Sequence, residues 1–123
     1  MNRVRTILVV DDDAFIRRPL QLILDAEGFQ AETAVDGEDC LRRAADHPFD
    51  LIILDVMMPG RDGFDVCRAL KRDPQTRAIP VILLSARGQE HDRERGLALG
   101  AIDFMTKPYS PSDLLRRLRE ILT

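Results

Sequence analysis

Ile7-Leu8-Val9-Val10-Asp11-Asp12-Asp13 is an apolar run that ends in carboxylates, and Leu51-Ile52-Ile53-Leu54-Asp55 repeats the arrangement further along. Continuous aliphatic runs of this length, unlike alternating ones, suit strands covered on both faces, which means parallel strands sandwiched between helices. The acids then stand at the carboxyl ends of their strands. In open α/β sheets that edge is where ligands bind, at the point where the strand order reverses.

Outward from these two runs the chain alternates apolar stretches with helical patterns, with no linker, repeat or low-complexity segment. The pattern is a series of five βα units. Strands are expected at Thr6 to Val10, Gln30 to Ala34, Leu51 to Leu54, Val81 to Leu84 and Ile102 to Thr106. The first helix carries Ile16, Leu20, Ile23 and Leu24 on one face and stops at Gly28, a residue suited to the left-handed conformation after a helix end. Pro19 removes a backbone donor inside it, so a kink, or a start near Asp13 to Phe15, is expected. The second and third helices present Cys40, Leu41 and Ala44, then Phe64, Cys67 and Leu70; the fifth presents Leu114, Leu118, Ile121 and Leu122. The fourth, between His91 and Leu99, has an interior Gly96 and little apolar surface beyond Leu97 and Leu99, so it is expected to be the least firmly docked.

A length of 123 residues suits one domain with a real core, so residues 1–123 are read as a single unit. The formal net charge of -3 argues against a broad surface for nucleic acid or anionic membrane. No apolar stretch approaches membrane-spanning length, and Met1-Asn2-Arg3-Val4-Arg5 runs into the first strand without a secretory apolar segment, so a cytoplasmic location is expected. Cys40 and Cys67 lie in amphipathic helical patterns without metal-ligand spacing and read as reduced, packed thiols.

One helix cap accounts for one aspartate of the first acidic run, not for three beside a further one at Asp55. Two carboxylates about 4 Å apart repel by roughly 4 kcal/mol at an effective dielectric of 20, a cost that a bound cation removes. Carboxylate and carbonyl oxygens with several retained waters are the ligand set of Mg²⁺. Ser85 and Lys107 end the fourth and fifth strands at the same edge. Taken singly, the serine reads as a helix cap and the lysine as a solvated loop charge. Together with the acids they make a set that can bind a metal, attack through a carboxylate and meet phosphoryl oxygens; aspartyl phosphate is a known product of such catalysis.

The segments ILVVDDD (7–13), LIILDVMMPGRDGFDV (51–66), IPVILLSA (79–86) and GAIDFMTKPYSP (100–111), in this order and spacing, resemble the receiver domain of two-component response regulators over essentially the whole chain. The resemblance implies a flavodoxin-like sheet of order 2-1-3-4-5, the arrangement of chemotaxis receivers. It implies that Asp55 accepts a phosphoryl group from a sensor histidine kinase or histidine phosphotransfer protein. Asp12, Asp55 and the backbone carbonyl of Met57 would bind Mg²⁺, for which Mn²⁺ can substitute, and Asp11 would act through water. Asp13 would start the helix. Ser85 and Lys107 would contact phosphoryl oxygens, and the Lys107-Pro108 bond would be cis.

The same resemblance makes Ser85 and Phe104 a switch pair: phosphorylation would draw Ser85 inward and let Phe104 rotate into the space it leaves. Phe104 also reads simply as a packed strand aromatic. Met57 and Arg87 occupy the positions that tune hydrolysis of the acyl phosphate in this family, and methionine cannot orient a water. Arg93, Asp103, Asp113 and Arg117 resemble the face through which some receivers dimerise on phosphorylation, although Ala98 and Ile102 stand where that branch has acids. The implied role is a signalling switch rather than a turnover enzyme. The chain ends as the fifth helix completes, which fits a stand-alone regulator or one that continues into an output domain.

Rival functions fit less well. An aspartyl-nucleophile phosphatase wants an acid two residues past its nucleophile, where Met57 stands; a flavin or nucleotide binder wants Gly, Ser or Thr after the first strand, where three aspartates would repel phosphate. A phosphorylation-independent adaptor would be expected to lack Asp55 or Lys107.

Overall fold

The computed structural model describes residues 3–86 and 90–122. Its elements alternate: β1 (Thr6–Val10), α1 (Ala14–Ala26), β2 (Gln30–Ala34), α2 (Gly37–Asp46), β3 (Leu51–Asp55), α3 (Gly63–Arg72), β4 (Val81–Ser85), α4 (Glu90–Ala98), β5 (Asp103–Thr106) and α5 (Pro111–Leu122). All strand pairings are parallel, and the sheet order is β2-β1-β3-β4-β5, the flavodoxin-like arrangement. The order reverses beside β1, so the first strand and its neighbour β3 open onto the crevice expected for a ligand.

The continuous apolar runs are buried on both faces, as their composition requires. Leu8, Ile52, Leu54 and Leu83 face one layer with Phe64, Cys67 and Leu70 of α3 and Cys40 and Ala44 of α2. Ile7, Val9, Ile53, Ile82 and Leu84 face the other with Leu20 and Leu24 of α1 and Leu114 and Leu118 of α5. Burying each large aliphatic side chain contributes about 1.5–3 kcal/mol, so these two layers supply most of the drive to fold. Both cysteines are free and buried, matching the packed-thiol reading.

Helix ends follow local chemistry. Asp13 caps α1 through its side chain and Asp36 and Asp62 cap α2 and α3. At the other end of α1, Gly28 has φ of 92°, its N–H donates to Asp25 and the Phe29 N–H reaches back to the Leu24 carbonyl, with Phe29 packed on the same core as Leu24. Pro19 lies within α1, whose start at Ala14 falls inside the expected window.

Three expectations need adjustment. β3 and β4 each run one residue further, taking in Asp55 and Ser85, and β5 begins one residue later. Ile102 still donates its N–H to the Val81 carbonyl, but its side chain is 42% exposed. In α4, Leu97 is exposed and the buried residues are Asp92 and Gly96. A Cβ on Gly96 would lie 2.8 Å from Leu83 and 3.3 Å from the Phe104 ring, so the glycine permits close approach rather than marking looseness. The Arg95 guanidinium lies 4.3 Å from the centre of the Phe64 ring and adds a cation–π contact to the same seat. Among the described residues, no helix is long and apolar enough to cross a membrane.

Candidate functional site

The site grows from the register of β1 and β3. Val10 pairs with Leu54, so the residues that follow them, Asp11 and Asp55, emerge side by side at the carboxyl edge. The turn after β1 is held at several points. Asp11 donates its N–H to the Ala34 carbonyl, and its carboxylate accepts the N–H of Asp13 at 3.0 Å. Asp13 in turn accepts the Phe15 N–H, which makes it the helix-start residue expected. Asp12, between these fixed neighbours, is left exposed while Asp11 and Asp55 are buried. Carboxylate oxygens of Asp11, Asp12 and Asp55 lie within 4.8 Å of one another.

Lys107 closes the set from the far side of the sheet. Its N–H donates to the Ser85 carbonyl at the end of β4, and its ammonium donates to Asp11 at 2.9 Å and to Asp55 at 3.1 Å. The Lys107-Pro108 bond is cis. Burial and then the nearby Asp11 charge raise the Asp55 carboxyl above its ordinary range, against the opposing pull of Lys107 and the Met57 N–H. Burial alone would lower the Lys107 ammonium, but its bonds to Asp11 and Asp55 outweigh that and raise it.

Three carboxylates against one ammonium leave a formal excess of two negative charges in a pocket of hard oxygen donors. This donor set fits a divalent cation such as Mg²⁺, with Asp12 exposed on its outer side. Asp55 is both one of those donors and the carboxylate whose ionised form the pocket disfavours.

The remaining predicted residues fall at different distances from this centre. Ser85 is buried at the end of β4, in register with Thr106. Phe104 is also buried, with Gly96 of α4 beside its ring, as the packed strand aromatic reading has it. Met57 is 51% exposed beside the pocket. Arg87 lies outside the described residues. Arg93, Asp103 and Arg117 do meet: Asp103 accepts from Arg117 at 2.8 Å and lies 3.6 Å from Arg93. Asp113 instead pairs with Arg116.

Two supporting residues escaped the sequence reading. Gly63 opens α3 directly beneath the site, where a Cβ would sit 2.4 Å from the Asp55 carbonyl oxygen, and its N–H donates to Val56. Arg17 of α1 donates to the Asp11 carbonyl at 2.8 Å. Nothing in the sequence marks either contact, although an arginine one turn past an N-cap aspartate is a place to look. A groove of about 470 Å³ also borders the site, between α1 and the start of α5, lined by Phe15, Ile16, Pro19, Lys107 and Tyr109. Phe15 at its lip is 89% exposed.

The response regulator receiver domain family matches residues 7–119. The phosphate regulon transcriptional regulatory protein PhoB of Escherichia coli (strain K12) is 44% identical over 118 residues, 96% of this chain and 52% of that protein. The response regulator PleD of Caulobacter vibrioides (strain NA1000 / CB15N) is 50% identical over 115 residues, 94% of this chain and 25% of that protein. The chain therefore spans about half the length of the first and a quarter of the second. The chemotaxis protein CheY4 of Vibrio cholerae superposes with a TM-score of 0.92 at 33% identity, covering 98% of this chain and 100% of that one.

Proposed function

The chain belongs to the response regulator receiver domain family, the signalling domain of two-component regulators, and on that premise we propose that it is a switch phosphorylated at Asp55. A carboxylate oxygen of Asp55 attacks the phosphorus of a phosphohistidine on a sensor histidine kinase or a histidine phosphotransfer protein. The new P–O bond forms as the P–N bond breaks, and the imidazole leaves with the electron pair and takes up a proton. Asp12, Asp55 and the Met57 carbonyl would hold Mg²⁺, with Asp11 acting through water. Bound there, the metal offsets charge that gathers on the transferring group. Lys107 is already poised between Asp11 and Asp55 to follow a phosphoryl oxygen, and Ser85 would meet another.

The observation that carries this reading is the Lys107 ammonium bridging two buried carboxylates beside an exposed third. An ion pair made only for stability has no use for an acid cluster with an open side. The groove beside Lys107, with Phe15 at its lip, offers apolar surface for the protein that delivers the phosphoryl group.

Incubation with acetyl phosphate and Mg²⁺ should add a phosphoryl-sized mass that hydroxylamine removes and that Asp55→Asn abolishes. No gain in the folded wild type would favour the phosphorylation-independent adaptor. A phosphorylation-favoured homodimer through the Arg93, Asp103, Asp113 and Arg117 face would exchange the ion pairs now made within the chain, a swap worth little by itself. Size-exclusion chromatography with and without beryllium fluoride reads that outcome.

A further inference from the structure

Asp12 is the one acid of the pocket that no described hydrogen bond restrains directly, yet its oxygen converges with those of Asp11 and Asp55. Its direction must therefore come from the backbone on either side. The peptide that follows it is held through the Asp13 N–H, bonded to the Asp11 carboxylate at 3.0 Å. The peptide that precedes it is held through the Asp11 carbonyl, and the group on that carbonyl is the Arg17 guanidinium at 2.8 Å. Two flanking peptide planes fix the φ and ψ of the residue between them, and with these the direction of its Cα–Cβ bond.

We propose that Arg17 is a positioning residue for the cation site, setting the aim of Asp12 from behind through the Asp11 carbonyl. The proposal rests on the reading of the acids as a divalent-cation site. Arg17 is itself well placed for the task. Its own N–H donates to the Asp13 carbonyl at 2.9 Å, so its backbone is anchored on the turn that its side chain braces. The side chain is half-buried, and among the described residues no carboxylate lies within ion-pair distance of it. An arginine paired with Asp11 or Asp12 would occupy oxygens that a cation needs. One bonded to the carbonyl stiffens the turn, adds positive charge near three acids and itself takes up no carboxylate oxygen. A charge-assisted bond to a carbonyl is stronger than a neutral one, which suits a brace that must hold against mutual repulsion of the acids.

The test is calorimetric titration of the intact protein with Mn²⁺, which reads metal binding without phosphorylation. Arg17→Met, which keeps an apolar stem and loses the donor, is expected to bind roughly tenfold more weakly, the low end for groups that orient metal ligands from behind. Arg17→Lys, retaining charge and a donor, should lie between. In acetyl phosphate assays the half-saturating Mn²⁺ concentration should rise more than the saturated rate falls. Wild-type affinity in folded Arg17→Met, with only a lower melting temperature, would overturn the proposal; so would Arg17→Lys as weak as Arg17→Met. Should Arg17→Met not fold, Arg17→Gln is read in its place by the same criteria. A wild type that takes up no Mn²⁺ would instead sink the reading of the acids.

Discussion

Replacing the proposed phosphoacceptor should make the metal-free protein more stable. Asp55 has carboxylate oxygens of Asp11 and Asp12 within 4.8 Å, and at an effective dielectric of 20 each repels it by at least about 3.5 kcal/mol. The Lys107 ammonium at 3.1 Å attracts it by about 5 kcal/mol on the same scale. The two repulsions exceed the attraction by about 1–2 kcal/mol, and burial adds to the cost of the charge. Asparagine keeps the shape and an acceptor for Lys107 while removing the charge. Asp55→Asn should therefore raise the melting temperature in EDTA at pH 7 by roughly 4–8 °C. The sign of the pH dependence follows from the raised carboxyl. An acid whose folded pKa lies above its unfolded value supports the fold below the unfolded value and loses that contribution as pH rises through the folded one. The gap between variant and wild type should therefore be full at pH 7 and close as pH falls below about 4, the ordinary carboxylate value. Saturating Mg²⁺ should narrow it as well, because a ligand of the folded state stabilises the protein with the complete acid set more. Thermal unfolding followed by circular dichroism measures all three conditions. An Asp55→Asn protein no more stable than wild type in EDTA at pH 7 would refute the reasoning.

Other substitutions probe the surroundings of the site. Met57→Asn should shorten the life of the phosphoaspartate, because an amide can orient a water and a thioether cannot; intact mass followed over time after acetyl phosphate is removed would count against the idea if decay were unchanged. Gly63→Ala forces a methyl against the Asp55 carbonyl at 2.4 Å and should cost about 1–3 kcal/mol, while slowing phosphoryl acceptance as Asp55 is displaced. A chemical denaturation midpoint equal to that of wild type would contradict it. Burial pushes the Cys40 thiol up to about 12 and raises Cys67 as well. Neither should react with a disulfide reagent in the native protein at pH 8, and both should in denaturant; a fast native thiol would overturn the packing described.

The strands and their acids were legible because they depend largely on local composition: β1 and β2 begin and end at the residues expected. Asp55 and Ser85 proved to be the last residues of β3 and β4 rather than the first after them, since strand pairing continues one position beyond the aliphatic run. What composition could not reveal were contacts made across elements. Gly96 looked like a weak point in α4 and is the place where the helix touches Leu83 and Phe104. Gly63 carries no distinguishing signal in the sequence and fits beneath the Asp55 backbone. Arg17 carries no sequence signal of its own and grips a carbonyl six positions back, which only the path of the turn brings within reach. The resemblance set Arg93, Asp103, Asp113 and Arg117 on one face as a dimer contact; here Asp103 meets Arg93 and Arg117 within the chain, and the Asp113 pairing with Arg116 follows from helical spacing within α5.

The bridge made by Lys107 has a consequence for synthesis as well as for chemistry. It joins residues 96 and 52 positions apart in the chain, so the pocket is complete only when β5 has taken its place at the edge of the sheet. A nascent chain that has emerged through β4 carries the acids without their counter-charge. If Asp55 accepts the phosphoryl group as proposed, acceptance would wait until the last strand is home, and an Asp55 label would report that β5 has docked.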